Sequence, residues 1–215
     1  MINGRMNVVA YLAHADDEVL GCGGLLAKLA AQGHHVSVVL ATDGIVKRGI
    51  EIDNTSSARA AAKILGAREL FFLGFPDQQF DRYPLIEFNR AFDKLGLQPD
   101  LLITHAAHDA NHDHTIIHRS AIVVIRPLKN KTKVLACETL SATEWGSQPF
   151  TASLYADITD YLPKKIEAMK PYANELREFP HPRSLTGIEI KARQRGLEVG
   201  CRAAEAYQVL RWFEV

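Results

Sequence analysis

Residues 7–13, Asn-Val-Val-Ala-Tyr-Leu-Ala, are apolar after the first position and then break abruptly into His14-Ala15-Asp16-Asp17-Glu18. An uninterrupted apolar run of this length, without polar alternation, predicts a strand buried on both faces. A helix should follow at once, because Val19, Cys22, Leu26 and Leu29 share one helical face, with Asp17 to cap its start and Gly33 to stop it. The same alternation continues along the chain. Residues 36–41 read as a strand, 56–65 as an Ala-rich helix closed by Gly66, and 69–73 as a strand. Leu85, Phe88, Phe92 and Leu95 mark a helix ended by Gly96, followed by a strand at 101–104, a helix at 115–125 ending before Pro127, and a strand at 134–139. Two further helices are expected at 161–176 and 188–206, joined by the rigid segment Phe179-Pro-His-Pro-Arg-Ser184. Strands separated by helices predict an α/β class: a Rossmann-like three-layer fold with a mostly parallel sheet, whose ligands gather at the carboxyl ends of the strands.

At 215 residues the chain suits one domain, 1–215. Its 25 basic and 25 acidic side chains balance, and no Lys/Arg cluster tracks phosphates, so nucleic acid is disfavoured as a partner. Cys22, Cys137 and Cys201 are widely spaced and odd in number, which argues against a disulfide framework. The N-terminus is too short and polar before its first apolar run for a signal peptide, and no stretch approaches a membrane span, so the expected location is the cytoplasm. Gly21-Cys22-Gly23-Gly24 lies inside the expected first helix and lacks the spacing of a phosphate loop, which leaves close packing as its purpose.

His14, Asp16, Asp17 and Glu18 cluster where the first strand ends, and such polar groups cannot serve the core that the strand enters. Zinc accepts imidazole nitrogen and carboxylate oxygen, and a catalytic zinc keeps three protein ligands with one open position. His14 and Asp17 could supply two. A third should come from the carboxyl end of another strand, where residues 105–114 carry His105, His108, His112 and His114. Spacing does not choose among these and His118. Taken singly, Asp17 could be only a helix cap and each histidine only a surface residue.

The segment His14-Ala-Asp-Asp-Glu18 resembles the His-Pro-Asp-Asp-Glu signature of the PIG-L/LmbE-like N-deacetylases, and Asp109-Ala-Asn-His-Asp-His114 resembles that family's second motif. Phe72-Leu-Gly-Phe-Pro-Asp77 is also similar. Cys137-Glu-Thr-Leu-Ser-Ala-Thr-Glu-Trp145, Phe179 to Ser184, Arg195-Gly196 and Ala204-Glu-Ala206 resemble the branch associated with surface-polysaccharide synthesis. The resemblance implies that His14, Asp17 and His114 bind Zn2+ (Fe2+, Co2+ or manganese being acceptable to such a donor set) and that Asp16 is the general base. The implied reaction is removal of the N-acetyl group of an amino sugar, carried on a nucleotide, lipid or glycan, with release of acetate and a free amine.

Two positions depart from the family pattern. Ala15 replaces the usual Pro, and Asn111 stands where many relatives place a histidine; Asn can orient an oxyanion but cannot supply a proton. His105 and His108 are expected to support the ligands, and Asp113 to partner a metal histidine or Asp16, or else to cap the following helix. Arg126, Glu138, Glu144 and His181 could line a sugar pocket or sit in surface ion pairs, the latter being the expectation for Glu144. Alternatives to the amino-sugar hydrolase are a deacetylase of a thiol–amino-sugar conjugate and a non-catalytic sugar-binding protein. A dinucleotide enzyme lacks its glycine fingerprint here. Relatives are often oligomeric, so a homo-oligomer is an expectation too.

Overall fold

The computed structural model describes residues 4–46, 51–126 and 131–213; Pro127, the expected helix stop, lies outside them. In chain order the elements are β1 (Asn7–Leu12), α1 (Asp17–Ala31), β2 (His35–Thr42), β3 (Ile45–Val46), β4 (Ile52–Asp53), α2 (Thr55–Leu65), β5 (Glu69–Phe75), a short 3-10 turn (Phe80–Arg82), α3 (Leu85–Asp93) and β6 (Leu101–His105). Then come α4 (His112–Val124), β7 (Lys133–Cys137), β8 (Leu154–Asp157), α5 (Leu162–Met169), α6 (Leu185–Leu197) and β9 (Ala204–Arg211).

Seven strands form one sheet in the order β5-β2-β1-β6-β7-β9-β8, with β3 and β4 a separate antiparallel ribbon. The pairings from β5 across to β7 are parallel, whereas β9 runs antiparallel to both β7 and β8. The expected three layers follow from the two-residue period of the strands. Val8, Ala10 and Leu12 of β1 join the core that packs against α1, α2, α5 and α6. Val9, Tyr11 and Ala13 face the opposite core with Phe88, Phe92 and Ile117 from α3 and α4.

From β1 the chain moves outward to β2 and β5, then returns to lay β6 on the other side of β1. The direction of winding reverses between β1 and β6, and a crevice opens beyond their carboxyl ends, which is where ligands bind in such sheets. The polar segments after both strands empty into it.

The last third differs from expectation. Helix α5 stops at Met169, just before Pro171, whose missing N–H cannot continue a helix. The expected helix over 188–206 ends at Leu197, and Ala204-Glu205-Ala206 lies in β9. Gly196 explains the stop: a Cβ there would meet the Cys201 carbonyl oxygen at 2.6 Å. Only a glycine lets the chain turn back this closely and enter the sheet. Among the described residues no helix is long and apolar enough to cross a membrane.

Candidate metal centre and active site

At the end of β1 the backbone is bent sharply enough that Asp16 adopts φ 122°, a conformation that non-glycine residues rarely hold and that tends to mark functional sites. The bend is pinned on both sides. Asp16 N–H donates to Glu18 Oε2 at 3.1 Å, and Tyr172 Oη donates to Glu18 Oε1 at 2.6 Å. Asp17 does not cap its helix as expected; its Oδ2 turns back to accept the His14 N–H at 2.7 Å.

That oxygen is one corner of a triangle. His14 Nδ1 lies 3.2 Å from His114 Nε2, and Asp17 Oδ2 lies 3.5 Å from His14 Nδ1 and 3.4 Å from His114 Nε2. A tetrahedral ion with bonds of about 2.0–2.2 Å sets its donor atoms roughly 3.3–3.6 Å apart, so these three atoms have the spacing of one face of such a site. The far nitrogens of both rings meet carboxylates. His14 Nε2 is 2.9 Å from Asp113 Oδ2 and 3.3 Å from Asp77 Oδ1, and His114 Nδ1 is 3.2 Å from Asp109 Oδ1, off the ideal hydrogen-bond line. A proton on each far nitrogen leaves the near nitrogen's lone pair aimed into the triangle, the usual arrangement behind a metal-bound imidazole. The donor set fits a divalent cation.

Electrostatics agree. Burial opposes charge on His14, yet Asp113 and Asp17 outweigh it and push its pKa up to about 9. His114 is likewise pushed up to about 10, with Asp17 and Asp109 overcoming burial. Burial works against ionisation of Asp17, but the neighbouring His114 and His105 imidazoles hold it well below the ordinary carboxylate range. The cluster thus favours positive charge at its centre.

His105 has a different role from a ligand. Its Nε2 accepts the Ala13 N–H at 2.9 Å, leaving Nδ1 to donate to Thr139 Oγ1 at 3.1 Å. Burial, helped by His114, lowers its pKa to about 4 and keeps it neutral. This ring stitches β6 to the end of β1 and stacks on His114, with centroids 3.8 Å apart. It therefore supports a cluster histidine by packing.

Asp16 projects into the same cavity, a space of about 440 Å³. Burial and the Asp17 and Glu175 carboxylates push its pKa well up, partly offset by Arg183, whose Nη1 sits 3.4 Å from Asp16 Oδ2 and 3.2 Å from Glu175 Oε2. Asn111 lines the cavity too, and its Oδ1 caps α4 by accepting the Asp113 N–H at 3.0 Å. With the oxygen committed, the NH2 donor is the remaining polar group. The helix cap is thus Asn111, and Asp113 partners His14. His181 does not line the cavity but meets Trp145, which does, edge-on at 5.5 Å.

Three expected contributors lie elsewhere. His108 is exposed and outside the hydrogen-bonded cluster. Arg126 follows the far end of α4, exposed, with its Nε donating to Val123 O; a 13-residue helix puts it about 20 Å from the cavity. Glu138 is held by Arg195 and Lys191, each at 2.7 Å, and faces a separate small cavity. Arg183, Asp77, Glu175 and Tyr172 had no assigned role from sequence. Asp77 follows the carboxyl end of β5, so the strand-end rule could have found it; Tyr172 and Glu175 carry no local signal.

Residues 9–125 match the GlcNAc-PI de-N-acetylase (PIG-L) family. The uncharacterized deacetylase YaiS of Escherichia coli K12 is 29% identical over 178 residues, covering 79% of this chain and 92% of YaiS. Among solved structures, the N,N'-diacetylchitobiose deacetylase of Pyrococcus horikoshii superposes with a TM-score of 0.74 at 20% identity, over 95% of this chain and 84% of that one. GalB, the 4-carboxy-2-hydroxymuconate hydratase of Pseudomonas putida KT2440, gives 0.76 at 21% identity over 98% of each chain. These two show a shared fold, and the fold by itself does not choose a chemistry. The family match covers over half of the sequence and includes both clusters that build the triangle, and the chain belongs to the PIG-L family of deacetylases.

Proposed function

We propose that this protein is a zinc-dependent hydrolase that removes the N-acetyl group of an amino sugar, giving acetate and a free amine. The observation that carries the reading is the triangle of His14 Nδ1, Asp17 Oδ2 and His114 Nε2, with Asp16 beside it in the same cavity. These three residues would hold the ion, which when bound supplies a Lewis acid for the amide carbonyl and lowers the pKa of water to about 7.

The chain's own groups supply the rest. Asp16 takes a proton as water oxygen adds to the acetyl carbon, and it returns that proton to the nitrogen as the C–N bond breaks. Arg183 steadies the Asp16 carboxylate. The Asn111 NH2 donates to the oxygen that gains charge in the tetrahedral state. Asp113 and Asp109 fix the orientations of His14 and His114. Trp145, 60% exposed at the rim, offers an aromatic surface to a sugar ring.

Membership of the GlcNAc-PI de-N-acetylase family supports an amino-sugar substrate. The three free thiols fit a cytoplasmic protein. The substrate reading is tested by acetate release from N-acetylglucosamine glycosides, nucleotide sugars and thiol–sugar conjugates beside N-acetyl amino acids. Turnover of one of the sugar groups supports it. Turnover of amino acid acetamides alone contradicts it.

A further inference from the structure

Helix α1 is broken at Cys22, which has φ −147° and ψ 15°. Before the break stands the turn that carries Asp17 and Glu18; after it, Leu25, Leu26 and Leu29 anchor the body of the helix in the core. Kinks need a cause, and here two buried charged side chains enter the helix ladder. In an unbroken helix Gly24 N–H would donate to Leu20 O and Leu25 N–H to Gly21 O. Instead Leu20 O accepts from Lys165 Nζ at 2.9 Å, while Glu205 accepts from Gly24 N–H at 2.8 Å and from Leu25 N–H at 2.7 Å. Lys165 and Glu205 are joined at 2.6 Å, and Tyr207 Oη donates to Glu205 at 2.8 Å. Both are about 95% buried. A buried ion pair is seldom a gain over apolar packing, so its place in the break points to a geometric purpose.

We propose that Lys165 and Glu205 are positioning residues: they splint the break in α1 and so hold Asp17 at the spacing from His14 and His114 that a divalent cation requires. Glu205 comes from β9 and Lys165 from α5, so the splint ties the ligand-bearing turn to two elements distant in sequence. Neither touches the cavity's reacting region. The inference rests on the metal-site reading above.

The test titrates apo protein with Co2+, following its visible absorption, in wild type, Glu205→Gln and Tyr207→Phe, with circular dichroism and thermal melts of each. Gln keeps one acceptor oxygen, and Phe removes only the outermost hydrogen bond, so Tyr207→Phe reads the splint should Glu205→Gln not fold. The expected result is one Co2+ per wild-type chain, an affinity loss of about tenfold in folded Glu205→Gln, a smaller loss in Tyr207→Phe, and an altered absorption band. A role in stability alone would lower the melting temperature and leave both affinity and band unchanged in the folded variants, which overturns the proposal. A wild type that binds no Co2+ instead overturns the metal reading beneath it.

Discussion

His14 Nδ1 and His114 Nε2 face one another at 3.2 Å although 100 positions separate them in the chain. Two ring nitrogens this close, each with its far side turned to a carboxylate, compete for a single proton or share a single cation. Their meeting depends on β1 and β6 being neighbours in the sheet, which puts the segments after both strands in one crevice.

Zn2+ at about 100 times its dissociation constant should stabilise the wild-type fold by roughly 2.7 kcal/mol. His114→Ala should abolish both this gain and stoichiometric binding, as checked by melts with and without chelator and by elemental analysis. A melting temperature indifferent to metal in the wild type would count against the site.

Asp113 should tune affinity without contacting the ion. Asp113→Asn weakens the hydrogen bond that orients His14, and weakening the partner behind a metal-bound imidazole reduces metal affinity by about 10–100-fold. Competition against a chelating dye reads the change directly, and affinity equal to wild type would remove Asp113 from the account.

Trp145 is 60% exposed, so Trp145→Ala should leave stability within about 0.5 kcal/mol. If its ring meets the sugar equally in ground and transition states, the variant should raise KM with kcat nearly unchanged. Steady-state kinetics on the preferred acetamide decides this, and a fall in kcat at constant KM would contradict the assignment.

Gly24 tests the packing behind the break in α1. A Cβ there would lie 2.6 Å from Ile158 Cδ1 and 2.9 Å from Ile158 Cβ, too close for a branched side chain to yield freely. Gly24→Ala should therefore cost about 1–3 kcal/mol of stability, measured by urea unfolding. A neutral result would show that Ile158 has room to move.

Much of the site was legible because of where its residues stand. The apolar run of β1 ends at Ala13, so His14, Asp16 and Asp17 stand at a strand's carboxyl end, where they line the cavity, whereas Glu18 stays buried and is bonded by Tyr172. The choice of His114 over His105 came only through family resemblance. Their difference is tertiary: His105 is consumed by the Ala13 N–H and Thr139, while His114 is left with a lone pair toward Asp17. Glu138, open in sequence to either a sugar pocket or an ion pair, is held in the pair, and its partners Lys191 and Arg195 lie more than fifty residues away on α6. Ala204-Glu205-Ala206 reads as helix by propensity, yet pairing with β8 overrides that preference. Nothing local announces that Glu205 reaches back to Gly24 and Leu25.

The most direct test of the central claim is acetate release by metal-loaded wild type, chelated wild type and metal-loaded Asp16→Asn on the preferred N-acetylated sugar. The account predicts release that chelation abolishes and zinc restores, and a loss of about 10²–10⁴-fold in kcat for Asp16→Asn with its metal still bound. Release that survives chelation, or an Asp16→Asn enzyme as fast as wild type, would contradict it.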